Sequence, residues 1–284
     1  FPITQMIERV IPDPVFQIEV YYNIYKVVTD VILLPGVNVV VKWTYRIIPK
    51  QAHESAFRFE YIDPNMVGSP AVLSLQVGRE VERMCDMVRK NVSDAAEGLI
   101  QNDIMSANVI REREQVIDYL ASEITDYLTK VNALQLPQSV SNYMGCVFHV
   151  INDLEQIGDH AIKILVQTEK CVEMGQAYSQ AAQDELRQIY QMDMDLLDKT
   201  MKLFRGQRPT PESWLDMKLQ ERTIMKLAVK AQSNHMERLQ EKTCTFEQGL
   251  TFIESLNSLM RIVNHVMNIA EASGSELLLN TARE

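Results

Sequence analysis

Apolar side chains recur every three to four positions along most of the chain after Pro70. Ile117, Leu120 and Ile124, for example, would share one face of a helix. This spacing predicts six amphipathic helices around a shared core, over residues 71–106, 107–134, 138–174, 177–206, 210–244 and 246–279. The fold class expected from the pattern is therefore all-α, a helical bundle.

Residues at the ends of the predicted helices indicate where several of them stop. Pro137 separates the second helix from the third, and Pro209 precedes the fifth. Hydroxyl side chains that can accept hydrogen bonds from free backbone N–H groups stand at the same places. We expect Ser139 or Ser141 to cap the third helix, and Thr210 to cap the fifth.

The sequence contains an internal repeat. Residues 152–164 read NDLEQIGDHAIKI and residues 257–269 read NSLMRIVNHVMNI, and five of these thirteen positions are identical. Self-similarity of this kind indicates that one structural unit occurs twice. We therefore predict two tandem three-helix units, a first over residues 71–174 and a second, degenerate one over residues 175–284.

The first 70 residues have a different character. Residues 27–41 are nearly all apolar, yet as a helix they would span only about 22 Å of a hydrocarbon layer about 30 Å thick. Residues 1–46 are therefore open to three interpretations: a buried strand pair, an interfacial segment, or the end of a membrane domain. Residues 47–70 contain three prolines and lack a helical period, which predicts a linker.

Two pairs of acidic residues in the first unit are the best candidates for chemistry. Glu114 and Asp118 are four residues apart, as are Glu155 and Asp159, so each pair lies on one face of its helix. Like charges at this spacing repel by a few tenths of a kcal/mol, which a bound cation would relieve. Carboxylate oxygens suit Mg²⁺, Mn²⁺, Fe or Zn²⁺. Gly158 lies between the second pair and permits another helix or a ligand to approach closely.

The second unit has lost most of these acids. Met225, Met260 and Asn264 occupy the positions that correspond to three of them, and only Glu221 remains. We therefore expect a second metal site to be absent or much weaker.

The alternative to a metal site is an ordinary solvated acidic surface. The same spacing of two acids recurs elsewhere in the chain, at Glu82/Asp86, Glu169/Glu173 and Glu237/Glu241. His160 and His265 occupy matching positions in the two units. His160 is turned about 100° from Asp159 around the helix, so we expect it to be a packing or hydrogen-bonding residue.

Composition excludes several classes of function. The 284 residues carry a formal charge of −10 and contain no cluster of Lys and Arg, so nucleic acid is not an expected partner. The four cysteines form no C-x-x-C pair, fall in predicted helices and suit a reducing compartment. No nucleotide-binding loop or hydrolase motif occurs. We do not expect an enzyme. Two alternatives to a regulatory role stay open: a carboxylate-bridged metal hydrolase or oxidase, and a purely structural scaffold.

Two sequence motifs, in the second and third predicted helices, resemble those of a known family. DLEQIGDHAIKI, residues 153–164, resembles the DLERIGDHAxNI signature of the PhoU family, and EREQVIDYLASEI, residues 112–124, resembles the second-helix motif of that family. The resemblance covers about residues 75–280 and implies a duplicated three-helix fold. It also implies that clusters of metal ions bind the acidic motifs, which correspond here to Glu114, Asp118, Glu155 and Asp159.

The flanking sequence resembles the junction in bacterial sodium/phosphate cotransporters, where a cytoplasmic PhoU-like domain follows a membrane domain. This resemblance implies a regulatory domain on the cytoplasmic side of the cell membrane that tunes phosphate uptake, with the transporter membrane domain as its partner. The Gln-Ser-Ser motifs of the transport core do not occur in this chain. A free-standing PhoU-type regulator of the phosphate-starvation response is the alternative. Homo-oligomer formation and direct binding of phosphate stay open.

Overall fold

The computed structural model describes residues 57–63, 69–133, 136–207 and 209–281, together with some helical positions between 19 and 29. The chain divides into two compact units, residues 1–56 and 57–284, and the second contains the bundle. Its helices are α1 (Pro70–Gln101), α2 (Ala107–Asn132), α3 (Gln138–Glu173), α4 (Gln180–Phe204), α5 (Pro211–Gln240) and α6 (Phe246–Thr281). Within the described ranges there is no β-strand, so the prediction of an all-α fold is confirmed.

The bundle is built around the two long helices α3 and α6, which form its most extensive interface. Helices α1 and α2 pack on α3, whereas α4 and α5 pack on α6, and α1 also contacts α4. Two three-helix groups therefore meet along a central seam. The predicted apolar face of α2 lies inside this core, with Ile117, Leu120 and Ile124 fully buried.

Left-handed residues stop three of the helices before their predicted ends. Helix α1 ends at Gln101 rather than 106, since Asn102 adopts φ 56° and its N–H donates to the carbonyl of Gly98. Gly206 follows α4 with φ 88°, and Lys242 follows α5 with φ 57°. The early end of α5 places Cys244 in a loop, which corrects its assignment to a helix, whereas the other three cysteines are buried in helices.

One of the two predicted helix caps is confirmed. Thr210 Oγ1 accepts a hydrogen bond from the N–H of Ser213 at 3.1 Å, and Ser213 Oγ accepts one from the N–H of Thr210 at 2.9 Å, which is a reciprocal capping box. The prediction that Ser139 or Ser141 caps α3 is wrong. Pro137 takes that position and no side chain caps the helix.

Residues 57–63, which fall within the predicted linker, pack on the first repeat; we call them the strap. The Phe57 ring lies edge-on to Tyr119, with centroids 5.5 Å apart. Glu80 on α1 is fully buried, and its Oε2 accepts hydrogen bonds from the N–H groups of Glu60 at 3.0 Å and Tyr61 at 2.8 Å. Arg83 pairs with the other oxygen of Glu80. A buried carboxylate thus satisfies the backbone of the strap.

None of the helices formed by described residues is both long and apolar enough to cross a membrane. Most of residues 1–46 lie outside the described residues, so the three interpretations of that segment stay predictions.

Candidate functional site

The centre of the candidate site is the carboxylate of Glu114, which lies against the backbone of α3. A Cβ atom at Gly158 would sit 2.7 Å from both carboxylate oxygens of Glu114, a distance that side chains essentially never tolerate. Gly158 is therefore required for Glu114 to occupy this place. The predicted close approach at Gly158 is confirmed, and the approaching group is an acidic side chain of α2.

A polar network from α1 holds the Glu114 carboxylate in place. Asn91 is fully buried, and its Nδ2 donates to Glu114 Oε2 at 2.9 Å and to the carbonyl of Ile110 at 3.2 Å. Arg113 Nη1 donates to Asn91 Oδ1 at 2.8 Å and to Asp94 Oδ2 at 2.9 Å. Because Arg113 occupies the amide oxygen, the amide nitrogen of Asn91 is fixed towards Glu114.

The environment of Glu114 disfavours its negative charge. Burial, and then the nearby charges of Asp118, Asp159 and Glu155, raise the pKa of Glu114 to about 8, against a hydrogen bond from Asn91 that lowers it. Its Oε1 is buried and has no hydrogen-bond partner among the described residues. A buried acceptor without a partner costs about 1–3 kcal/mol, so the site would gain from a proton or a cation at this oxygen.

The other three acids surround Glu114 on the open side of the site. Asp118 is exposed, whereas Glu155 and Asp159 are half-buried. Burial and the charge of Asp159 raise the pKa of Asp118. The charges of Asp118, Asp159 and Glu155 therefore all act on Glu114. Together the four predicted residues form one acidic cluster between α2 and α3.

The cluster is not a preformed coordination sphere. Among the described residues, no group of three or more His, Cys, Asp or Glu side chains is arranged to hold a metal ion. The donor chemistry nevertheless fits a hard divalent cation, since the cluster offers carboxylate oxygens and one of them is buried without a partner. The metal site at Glu114, Asp118, Glu155 and Asp159 stays a prediction.

The corresponding place in the second repeat is built differently. Glu221 pairs with Lys218 at 3.5 Å, and Lys218 also pairs with Glu271 at 2.7 Å. Val263 stands where the first repeat has Gly158, and Asn264 stands where it has Asp159. The one acid that the second repeat keeps therefore has a basic neighbour, which it shares with Glu271.

His160 and His265 meet at the seam between the repeats, with ring centroids 5.8 Å apart. Asp153 accepts a hydrogen bond from Asn268 at 3.1 Å and lies 2.8 Å from His265 Nδ1. Burial, and then the charges of Lys163, His265 and Arg261, lower the pKa of His160 to about 4. This histidine faces the seam and not the acidic cluster, in agreement with the predicted packing role.

Sequence reasoning missed the residues that orient Glu114. Asn91 follows Val77, Val81, Met84 and Val88 at helical spacing on the buried face of α1, so an amide interrupts an otherwise apolar series. That interruption was the available signal. Nothing in the spacing alone indicated that its partner would be Glu114 on the next helix.

Comparison with known proteins supports the fold and the domain. Residues 81–168 match the family model described as PhoU domain, a segment that includes all four acids of the cluster. The chain therefore contains a PhoU-like domain. The crystal structure of PhoU from Pseudomonas aeruginosa superposes with a TM-score of 0.67 at 24% identity, covering 73% of this chain and 98% of that one. This likeness establishes the fold.

Curated relatives of this chain are described as PhoU homologues. A "phosphate-specific transport system accessory protein PhoU homolog" of a Burkholderia species is 23% identical over 213 residues, which cover 70% of this chain and 87% of that relative. A protein of the same description from Clostridium acetobutylicum is 33% identical over 88 residues, or 30% of this chain and 40% of that relative.

Proposed function

We propose that the helical unit regulates phosphate transport, and that cations bound by Glu114, Asp118, Glu155 and Asp159 set its regulatory state. Its partner in this proposal is the membrane domain of a sodium-dependent phosphate transporter, with the helical unit on the cytoplasmic side of the cell membrane. The PhoU-like domain and the relatives described as accessory proteins of phosphate transport support the general role. The transporter partner rests on the flanking sequence.

The observation that carries the cation proposal is the state of Glu114. Its carboxylate is buried, one oxygen lacks a partner among the described side chains, and three further acids raise its pKa. A divalent cation supplies positive charge that stabilises ionised carboxylates at such a place. Asn91 holds Glu114 at the floor of the site, and the more exposed Asp118 and Asp159 close over it by side-chain rotation.

Occupancy of the site would affect the relation between two helices. Glu114 and Asp118 belong to α2, whereas Glu155 and Asp159 belong to α3. Without a counter-charge their mutual repulsion opposes close packing of α2 on α3, and with one the same residues hold the helices together. The function requires no catalytic step, and we assign no catalytic residue.

Metal analysis tests the cation proposal directly. Purified protein equilibrated with Mn²⁺, Zn²⁺, Mg²⁺ or Fe²⁺ should retain at least one of these ions after desalting. Glu155→Gln/Asp159→Asn should lose it while keeping its helicity by circular dichroism. The matched control is Glu237→Gln/Glu241→Gln, which removes two exposed acids at the same spacing, one in the last turn of α5 and one directly after it, and should retain the metal. Equal metal content in both double variants would refute the proposal.

Phosphate uptake tests the proposed partner. In cells of the native host, Glu155→Gln/Asp159→Asn should change sodium-dependent phosphate uptake, and the gene product should fractionate with the membrane. A free-standing accessory regulator is the second candidate, favoured by the description of the relatives. It predicts a product in the soluble fraction and a changed phosphate-starvation response with unchanged sodium-dependent uptake.

A further inference from the structure

A second site lies on the seam between the two repeats, away from the acidic cluster. It is a cavity of about 420 Å³ bordered by α1, α3, the end of α4 and α6. Pockets that bind small organic molecules range over roughly 300–1,000 Å³ and often lie where two structural units meet. This cavity therefore has the size and the place of a ligand pocket.

One wall of the cavity is aromatic. The rings of Tyr143 and Phe204 stack with centroids 6.3 Å apart and an angle of 27° between their planes. A Cβ atom at Gly78 would lie 2.8 Å from the hydroxyl oxygen of Tyr143, so the glycine lets the tyrosine approach the backbone of α1. Such a wall suits the flat apolar part of a small molecule.

The polar groups of the cavity favour an anion. Its charged side chains within the described ranges are Arg79, Arg205 and Glu82, which together give a formal charge of +1 in a chain whose total is −10. Glu82 pairs with the Nε of Arg205 at 3.2 Å, which leaves the terminal nitrogens of that guanidinium for another partner. Arg79 is exposed and has no acidic partner in the part of the chain that the structure describes. Among the described residues it is therefore the main unpaired cation at the cavity.

A buried hydroxyl group marks the inner end of the cavity. Ser273 is 3% exposed, and its Oγ has no hydrogen-bond partner within the described ranges. A buried hydroxyl of this kind is usually satisfied. A bound molecule with a hydrogen-bonding group would satisfy it.

We propose that this cavity binds a small organic anion. Its phosphate or carboxylate group pairs with Arg79 and Arg205, its flat apolar part lies against Tyr143 and Phe204, and its inner end bonds to Ser273. Inorganic phosphate alone would leave the aromatic wall uncovered, so it is not the preferred ligand. The acidic cluster takes no part in this binding.

Nuclear magnetic resonance of the full chain tests the site with four probes: phenyl phosphate, benzoate, inorganic phosphate and phenol. The backbone amide signals of Gly78 and Gly206, which line the cavity, report on occupancy. Phenyl phosphate or benzoate should shift both signals saturably, and should bind about tenfold more tightly than inorganic phosphate or phenol. Whichever of the two binds more tightly identifies the anionic group.

Arg79→Gln should weaken that binding about tenfold, and Ser273→Ala should weaken it by a smaller factor. Arg187→Gln, a control at an exposed arginine of α4 that pairs with Asp184, should leave it unchanged. Because Arg79 is exposed, its replacement should not impair folding. Absence of saturable shifts with both organic anions, or equal affinity in the wild type and Arg79→Gln, would overturn the proposal.

Discussion

The two repeats share a three-helix plan. They differ in the acidic residues that lie where the second and third helices of each repeat meet. In the first repeat a buried glutamate lies on a glycine and faces three more acids. In the second repeat the glutamate pairs with Lys218, and Val263 and Asn264 replace the glycine and one acid. The bundle itself therefore does not need the acids. The first repeat keeps an electrostatically unfavourable cluster, whereas the second keeps a single acid beside a lysine.

The largest expected difference between the repeats concerns the strap, which packs on helices of the first repeat. Glu80→Ala removes the acceptor of two strap N–H groups and leaves Arg83 without its buried partner. We expect the free energy of unfolding to fall by about 4 kcal/mol, as for other broken buried pairs. Urea denaturation measures this effect. Glu60→Gln is the control, because Glu60 is the exposed partner of Arg83; a similar loss in both variants would contradict the role of Glu80.

The next effect concerns pH in protein freed of metal by a chelator. The pKa of Glu114 is about 8 in the folded protein, compared with 4.5 for an ordinary glutamate. Between these values the folded state keeps a proton that the unfolded state has lost. The contribution of the Glu114 carboxyl group to the free energy of unfolding is therefore complete below about pH 4.5. It is lost as the pH rises through 8. Between pH 5 and pH 8 we expect a decline of about 3.5 kcal/mol.

Glu114→Gln should reduce the measured decline by about this amount, because the amide does not titrate, and should be more stable than the wild type at pH 8. Glu221→Gln makes the same substitution in the second repeat and should leave the pH dependence of the wild type unchanged. Unfolding curves from pH 5 to 8.5 measure both. A parallel decline in wild type and Glu114→Gln would show that another group is responsible.

A smaller difference in stability is expected between alanine substitutions at two glycines of α3. Gly158→Ala places a methyl group where Glu114 lies, and overpacking of this kind costs about 2 kcal/mol. Gly145→Ala has nothing within 4 Å of the new methyl group and should stabilise α3 by about 0.5–1 kcal/mol. Thermal unfolding compares them, and a loss of stability in Gly145→Ala as large as that in Gly158→Ala would contradict the packing argument.

The smallest effect concerns an ion pair across the two repeats. Arg89 on α1 makes two hydrogen bonds to Asp198 on α4, at 2.8 and 3.1 Å, but both side chains are nearly half exposed. Water and salt screen such a pair, so Arg89→Gln should change the free energy of unfolding by less than about 0.5 kcal/mol. A loss of more than about 1.5 kcal/mol in the free energy of unfolding would mean that water and salt do not screen this pair.

The sequence predicted the fold better than the site. Apolar periodicity located the six described helices of the bundle, because it reflects burial along each one. Their ends depended on single left-handed residues such as Asn102, which the periodicity does not reveal. Glu114 and Gly158 could be singled out from the spacing of the acidic pairs, but their contact depends on how α2 packs on α3. The strap was assigned to a linker because its stabilising group, Glu80, belongs to a different segment.

The most direct test is a crystal of the protein grown with Mn²⁺ and measured at a wavelength where manganese scatters anomalously. We expect an anomalous peak between α2 and α3, within about 2.0–2.6 Å of carboxylate oxygens of Glu114 and Asp159, and no peak beside Glu221. A peak beside Glu221 with none at Glu114, or no manganese bound by any of the four acids, would contradict the proposed cation site.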